Sequence, residues 1–371
     1  MLRFLTAGES HGRCLTAIIE GLPAGLLLDP ETINADLKRR QSGYGRGSRQ
    51  RIEQDTVQFL TGLHKSRTIG SPLSLMVANR DYANWKERDV PPWRRPRPGH
   101  ADMAGSQKYG IDDLRLVAER ASARSTAIIV AAGSVAKTLL AQAEISVGSY
   151  VAAIGGIHAD LTGLSLPQRL AAAANSDVSC PAPPAAQAMR EAIDGARASG
   201  DSLGGIICVV AEGLPVGLGS HVHWDRRLDG RLAQAVMSVQ AIKGVEIGPA
   251  FDNADLPGTE VHDGLYPGEE GLERRQNRAG GLEGGMTNGE PIVLRAAMKP
   301  IPTTIAPQPT VDLETGEGTT TQYQRSDVCA VPAAAVVAES MVAWVLAQAL
   351  LERYGGDCLR ELTQRIRHDR R

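Results

Sequence analysis

The chain has few cysteines, few lysines and few aromatic residues, and each scarcity narrows what it can be. Its five cysteines (Cys14, Cys180, Cys208, Cys329 and Cys358) are scattered over 371 residues with no CxxC pair. An odd count without a framework argues against a disulfide scaffold and a thiolate metal site, and it fits reduced thiols in the cytoplasm. Aromatic residues make up only 4%, too few for the stacking platforms of a single-strand nucleic-acid binder. Tyr44 alone stands among arginines. The net charge of -2 provides no overall field toward nucleic acid or a membrane. No uncharged apolar run has the length of a membrane span. Val328–Leu351 comes nearest, and Pro332 and Glu339 interrupt it. The apolar stretch from Met1 to Ala7 is too short for a signal peptide.

Arginine and glycine are plentiful. Of the 40 basic residues 33 are Arg and 7 are Lys. A GC-rich genome accounts for most of that excess, since alanine is abundant too; only the clustering of arginines carries information. An arginine fork grips carboxylate and phosphate with paired hydrogen bonds. Two histidines lie in small-residue loops beside such arginines: Gly8-Glu9-Ser10-His11-Gly12, followed by Arg13, and Arg97-Pro98-Gly99-His100-Ala101-Asp102. An imidazole exchanges protons near neutral pH, so a proton donor among fixed cations suits an anionic substrate.

The chain also repeats itself. Gly8-Glu9-Ser10-His11-Gly12 leads through an apolar run to Glu20-Gly21-Leu22-Pro23-Ala24-Gly25-Leu26. At an offset of 192 residues, Gly200-Asp201-Ser202-Leu203-Gly204 leads to Glu212-Gly213-Leu214-Pro215-Val216-Gly217-Leu218. The matching register predicts two structural halves. His11 in one copy is Leu203 in the other, which points to one half specialised for chemistry. Asp29-Pro30 predicts a helix through about Arg40, and Asp225 is the expected cap of a helix through about Val239. Helices are expected over Glu119–Ala143 and Ala333–Tyr354, the latter stopped by Gly355-Gly356. Strands are expected at Leu73–Ala78, Ile206–Ala211 and Ile292–Ala297. Strand and helix do not alternate regularly, which argues against a doubly wound parallel sheet. Residues 303–324 read as an exposed hairpin or loop, and 360–371 as a frayed polar tail.

Further clusters stand out. Arg39 to Arg51 is a glycine-laced arginine loop that can close over an anionic substrate or lie solvated. Arg120-Ala121-Ser122-Ala123-Arg124-Ser125 offers hydroxyls and backbone N–H groups at an expected helix start. Asn277–Gly289 is dense in glycine but has no P-loop signature. Lys299-Pro300-Ile301-Pro302-Thr303 sets a cation beside fixed backbone. Asp327 follows Arg325 by two residues and is a candidate base, or else an N-cap or ion pair. His221 and His223 lack a fitting carboxylate for a metal site.

Gly8–Gly12, Arg97–Asp102, Arg120–Arg124, Gln240-Ala241-Ile242-Lys243-Gly244-Val245-Glu246, Asn277–Gly289 and Arg325–Pro332 resemble, in the same order, the signature segments of chorismate synthase. The start, Met1 to Gly8, resembles the bacterial branch; residues 86–96 are short beside many relatives. The resemblance implies an α+β fold: a β-α-β sandwich with a helical layer between two sheets and a pseudo-twofold duplication. It implies one domain over 1–355, with halves of about 1–195 and 196–355, before a polar tail at 356–371. It implies a 1,4-anti elimination of phosphate from 5-enolpyruvylshikimate 3-phosphate, giving chorismate. Reduced FMN is the implied cofactor and NADPH a candidate reductant. No metal, nucleic acid or membrane is implied, and the family is usually a homotetramer. By the same resemblance His11, His100, Asp327 and Ser10 are catalytic. Arg120, Ala121, Ser122, Gln240, Ala241, Gly284, Lys299, Pro300, Ile301, Pro302, Thr303 and Arg325 bind FMN. Arg40, Arg46 and Arg124 bind substrate or NADP. Two other readings are a flavin oxidoreductase with net hydride transfer and an arginine-rich RNA binder.

Overall fold

The computed structural model describes residues 1–47, 54–88, 90–268 and 271–369. Ser48 to Arg51 of the arginine loop lie outside the described residues. The chain begins with β1 (Arg3–Ala7), β2 (Cys14–Glu20), α1 (Pro30–Gln41), β3 (Val57–Thr61), the hairpin β4–β5 (Leu63–His64 and Arg67–Thr68) and β6 (Leu73–Ala78). Then come α2 (Asp102–Tyr109), α3 (Leu114–Ala121), α4 (Thr126–Ala141), β7 (Ser146–Ile154), β8 (Ile157–His158), α5 (Leu166–Ala174) and α6 (Pro183–Ser199). Next are β9 (Gly205–Glu212), α7 (Leu228–Met237), β10 (Ile242–Ile247), α8 (Ala250–Ala254), α9 (Gly258–Val261) and the hairpin β11–β12 (Leu265–Gly268 and Gly271–Arg274). The chain ends with the hairpin β13–β14 (Leu282–Glu283 and Met286–Thr287), β15 (Ile292–Met298), the hairpin β16–β17 (Pro309–Val311 and Gly318–Thr320), α10 (Val331–Tyr354) and α11 (Leu359–Asp369).

Two antiparallel sheets carry the fold, ordered β1-β2-β6-β3 and β10-β15-β9-β7-β8. Period-2 alternation sends Leu15, Ala17 and Ile19 of β2 and Leu73, Leu75 and Val77 of β6 inward. Helix α4 packs on β2 and β6, α10 packs on β7 and β9, and the two helices pack on each other. Their small residues permit this. A Cβ on Gly133 of α4 would lie 2.3 Å from the Cβ of Ser340 on α10, so only glycine fits that crossing. The stretch Leu114–Ala141, although broken at Ser122, and Val331–Tyr354 are apolar and long enough to cross a membrane, but their apolar windows are 78% and 83% buried within the protein. They are core helices.

The repeated motifs adopt the same local structure. Thr68 Oγ1 accepts from Leu26 N and donates to Pro23 O; Thr287 Oγ1 accepts from Leu218 N and donates to Pro215 O. Gly25 N donates to Thr68 O as Gly217 N does to Thr287 O, both at 2.8 Å. Leu203 is partly buried against the core, with its N–H on Val328 O at 2.9 Å.

Asp29 caps α1 with Pro30 in its first turn, as expected. Three expectations need correction. Asp225 does not cap α7: it lies in a 3-10 turn and pairs with His223, and α7 starts at Leu228, where the buried apolar periodicity begins. The helix expected over Glu119–Ala143 is broken at Ser122, whose Oγ accepts from Arg124 N and starts a new turn before α4. The C-terminal tail is not frayed through Asp369. It forms α11, whose Leu362 and Ile366, four residues apart, are buried in the same core.

Candidate active site

His11 sits in the turn between β1 and β2. That turn enters through Gly8 at φ +110°, where a Cβ would lie 2.3 Å from Cys14 O. Glu119, in the last turn of α3, holds the loop from below. Its Oε1 lies 2.5 Å from His11 Nδ1 and its Oε2 accepts from His11 N at 2.6 Å. Its backbone O accepts from Ser10 N at 3.1 Å. The indole of Trp85 meets the imidazole at 4.4 Å between centroids. Ser10 is buried and its Oγ accepts from Ser122 Oγ. Arg120 turns to the end of β1 and bonds Thr6 and Gly8.

His100 is held in the same manner. Its Nδ1 lies 2.5 Å from Oδ1 of Asp102, the buried first residue of α2. Arg97 donates to the same carboxylate from its backbone N, Nε and NH2, and from NH1 to Thr303 Oγ1. Burial alone would raise the Asp102 carboxyl, but hydrogen bonds from His100 and Arg97 prevail and hold it well below the usual range. Asp102 is therefore ionised at neutral pH. Lys299 ties this loop to the second half, with Nζ on Gly99 O at 2.6 Å and its N–H on Ala241 O at 2.9 Å. Ala241 has a φ of +67°, a conformation that costs a non-glycine residue about 1 kcal/mol or more. Beside it, Gln240 Nε2 donates to Ser125 Oγ at the N-terminus of α4.

A buried arginine cluster backs the His11 loop. Asp55 accepts from Arg40 and, through both oxygens, from Arg124. Arg124 Nε also bonds Asn79 Oδ1, and Asn79 Nδ2 bonds Glu9 O and Gly12 O of the His11 loop. Burial, with Arg124 and Arg46 nearby, pushes the Arg40 guanidinium down to about 10 against the pull of Asp55. Arg46 donates to Asp327 Oδ2 at 2.6 Å, and Gly47 N donates to its Oδ1 at 2.6 Å. Among the described residues, neither Arg40 Nε nor Arg46 Nε has a hydrogen-bond partner although both are buried. Arg325 donates to Asp81, which also accepts from Trp85.

One predicted residue stands apart. Gly284 is the exposed tip of hairpin β13–β14, beside His221. That hairpin lies beyond the Ile292 end of β15, whereas Lys299 lies beyond its Met298 end, on the order of 20 Å away for a strand of this length. The described residues hold no cluster that could bind a metal ion. A cavity of about 360 Å³ between Met1, Gly21, Gln348 and Gly355 lies at the other end of β2 from His11. Glu119, Asp55, Asn79, Asp81 and Trp85 were not singled out from the sequence. Only Glu119 carried a signal, being next to Arg120.

A sequence model of the chorismate synthase family matches residues 2–351. The chain is similar to the chorismate synthase of Geobacter sulfurreducens, with 54% identity covering 98% of this chain and 96% of that protein. It is equally similar to that of Moorella thermoacetica, with 54% identity covering 99% and 97%. A crystal structure of chorismate synthase matches with a TM-score of 0.82 and 43% identity, covering 99% of this chain and 98% of that one. The match over nearly every residue places it: the chain belongs to the chorismate synthase family.

Proposed function

We propose that this lyase of the shikimate pathway performs the 1,4-anti elimination of phosphate from 5-enolpyruvylshikimate 3-phosphate with the help of reduced FMN. The substrate loses a ring proton and its phosphate, and the electrons of the broken C–H bond end in the new diene. The observation that carries the reading is the buried arginine cluster, with two guanidinium Nε–H groups that have no partner among the described residues, bonded through Asn79 to the loop of His11, together with the two histidines that each lie against a carboxylate.

The residues suit an anionic group such as the phosphate of FMN. Arg40 Nε and Arg46 Nε have no partners among the described residues, and the N-terminus of the 16-residue α4 lies beside Gln240 and the strained Ala241. Arg120, Ala121, Ser122, Gln240, Ala241, Lys299 to Thr303 and Arg325 would hold it. Gly284 is too distant to join them within one chain. Reduced FMN, when bound, would supply transient electron density and a place for the ring proton. His11 protonates the departing phosphate. His100, with its Nδ1 held by Asp102, exchanges a proton through its other ring nitrogen. Asp327, fixed by Arg46 and Gly47, would help the flavin take up the ring proton. Arg40, Arg46 and Arg124 supply positive charge for the phosphate and carboxylates of the substrate. The same reading gives a cytoplasmic homotetramer, each chain a pseudo-twofold sandwich with its helices between the two sheets.

Anaerobic turnover with dithionite-reduced FMN tests the activity. Chorismate and phosphate should appear in equal amounts while the flavin stays reduced. Oxidation of one flavin per product would instead identify a net hydride-transfer enzyme. Repeating the assay with NADPH in place of dithionite shows whether the protein reduces its own flavin.

Arg46→Ala should raise the substrate Kd roughly 10- to 100-fold, the worth of a hydrogen bond to a charged group, and change FMN affinity less. Separate titrations of the two ligands measure this. An unchanged substrate Kd would leave Arg46 only its role as partner of Asp327.

A further inference from the structure

We propose that Glu119 is a positioning residue that fixes the His11 ring and selects the nitrogen through which it exchanges its proton. The inference rests on the reading of His11 as the acid for the departing phosphate.

The geometry is specific. One carboxylate oxygen of Glu119 meets His11 Nδ1 at 2.5 Å and the other meets the His11 backbone N at 2.6 Å. A single side chain thus grips both the ring and the backbone of one residue, so rotation about the His11 side-chain bonds would break one contact while the other holds. Trp85 lies against the ring at 44° and limits its tilt. An ionised carboxylate only accepts hydrogen bonds, so Nδ1 must carry a proton. In the neutral ring Nε2 is then bare, and in the imidazolium Nε2–H is the proton that can leave. His100 has the same arrangement, with Asp102 two residues away. For His11 the carboxylate comes from 108 residues away, which is why the loop sequence does not reveal it. Glu119 is mostly buried, at 14% side-chain exposure, so the contact is shielded from water.

Holding the loop is a separate task, shared with the neighbouring Arg120 through Thr6 and Gly8. The experiment must therefore separate ring orientation from loop anchoring. Steady-state rates with reduced FMN are compared for wild type, Glu119→Gln, Glu119→Asp, His11→Ala and the double variant His11→Ala/Glu119→Gln. Nitrogen chemical shifts of isotope-labelled histidine report the tautomer of His11. We expect Glu119→Gln to lower kcat about 10- to 100-fold with KM changed by less than about threefold, and Glu119→Asp to recover part of that loss. In the His11→Ala background Glu119→Gln should cost nothing further. Neutral His11 in the wild type should carry its proton on Nδ1, and Glu119→Gln should erase that preference.

Normal kcat in Glu119→Gln, with His11→Ala inactive, would overturn the proposal and leave the His11 reading standing. Full activity in His11→Ala would overturn both. An equal loss from Glu119→Gln with and without His11 would make Glu119 a loop anchor only. Should Glu119→Gln fail to fold, the wild-type tautomer decides: a proton on Nε2 of neutral His11 overturns the proposal.

Discussion

His11→Ala and His100→Ala are each expected to lower turnover by about 10²- to 10⁴-fold, the usual contribution of a general acid or base, while the protein stays folded. The expectation of intact folding has a structural basis. Removing a histidine from a carboxylate is dangerous when it strands a buried charge. Asp102 is fully buried, but it would keep three hydrogen bonds from Arg97 after His100 is gone. Glu119 would keep the backbone N–H of residue 11. Neither imidazole is a core group, with side-chain exposures of 26% for His11 and 16% for His100. Circular dichroism and thermal melting check the fold, and turnover with dithionite-reduced FMN checks the chemistry. Activity within about threefold of wild type for either variant would remove that histidine from the mechanism, since it falls far short of an acid–base contribution.

These two histidines were visible in the sequence because glycines and arginines mark their loops. Their partners were visible only in part. Asp102 follows His100 at once, whereas Glu119 and Asp55 act across long sequence separations. Asp55 meets Arg124 from 69 residues away, a contact made only when the segments leading into β3 and α4 come together. Glycine content alone could not tell that Gly284 lies at the far end of β15 from Lys299. The fold followed similar rules. The strands at Leu73–Ala78 and Ile206–Ala211 were legible as short apolar runs, and α1 through its Asp-Pro start. The break at Ser122 was not, because the helical pattern of small residues runs straight through it. There the serine Oγ caps a new turn instead of continuing the old one. Helix α11 was hidden by its own polarity: two buried residues, Leu362 and Ile366, anchor an otherwise charged segment. Composition reported the surface of that helix and missed its attachment.

Glu339→Gln is expected to reduce stability by about 3–5 kcal/mol, the loss seen when one partner of a buried ion pair is removed. Glu339 lies on α10, with only 1% of its side chain exposed. Arg39 of α1 grips both of its oxygens at 2.8 Å, Lys137 of α4 meets Oε1 at 2.6 Å, and Ser149 of β7 donates to Oε2 at 2.7 Å. Asp36 completes the cluster by accepting from Arg39 and Lys137. Two acids and two bases therefore balance where three helices and the second sheet meet. A glutamine leaves that balance one positive charge in excess and turns an N–H₂ group toward donors. Denaturant midpoints of wild type and variant measure the loss. A second arm tests whether charge imbalance is the cause: adding Lys137→Met should return part of the stability, because the pair is then removed together. The pH dependence supplies a third. Burial alone would raise the Glu339 carboxyl from its ordinary 4.5, yet Lys137 and Arg39 hold it down to about 2. A depressed folded-state pKa stabilises the fold fully above pH 4.5, and that stabilisation fades as pH falls toward about 2. The stability gap between wild type and Glu339→Gln should therefore be widest at neutral pH and narrow on acidification through that window. A gap below about 1 kcal/mol at pH 7, or one that does not narrow in acid, would mean that the cluster is held by the packing of the helices and not by its charges.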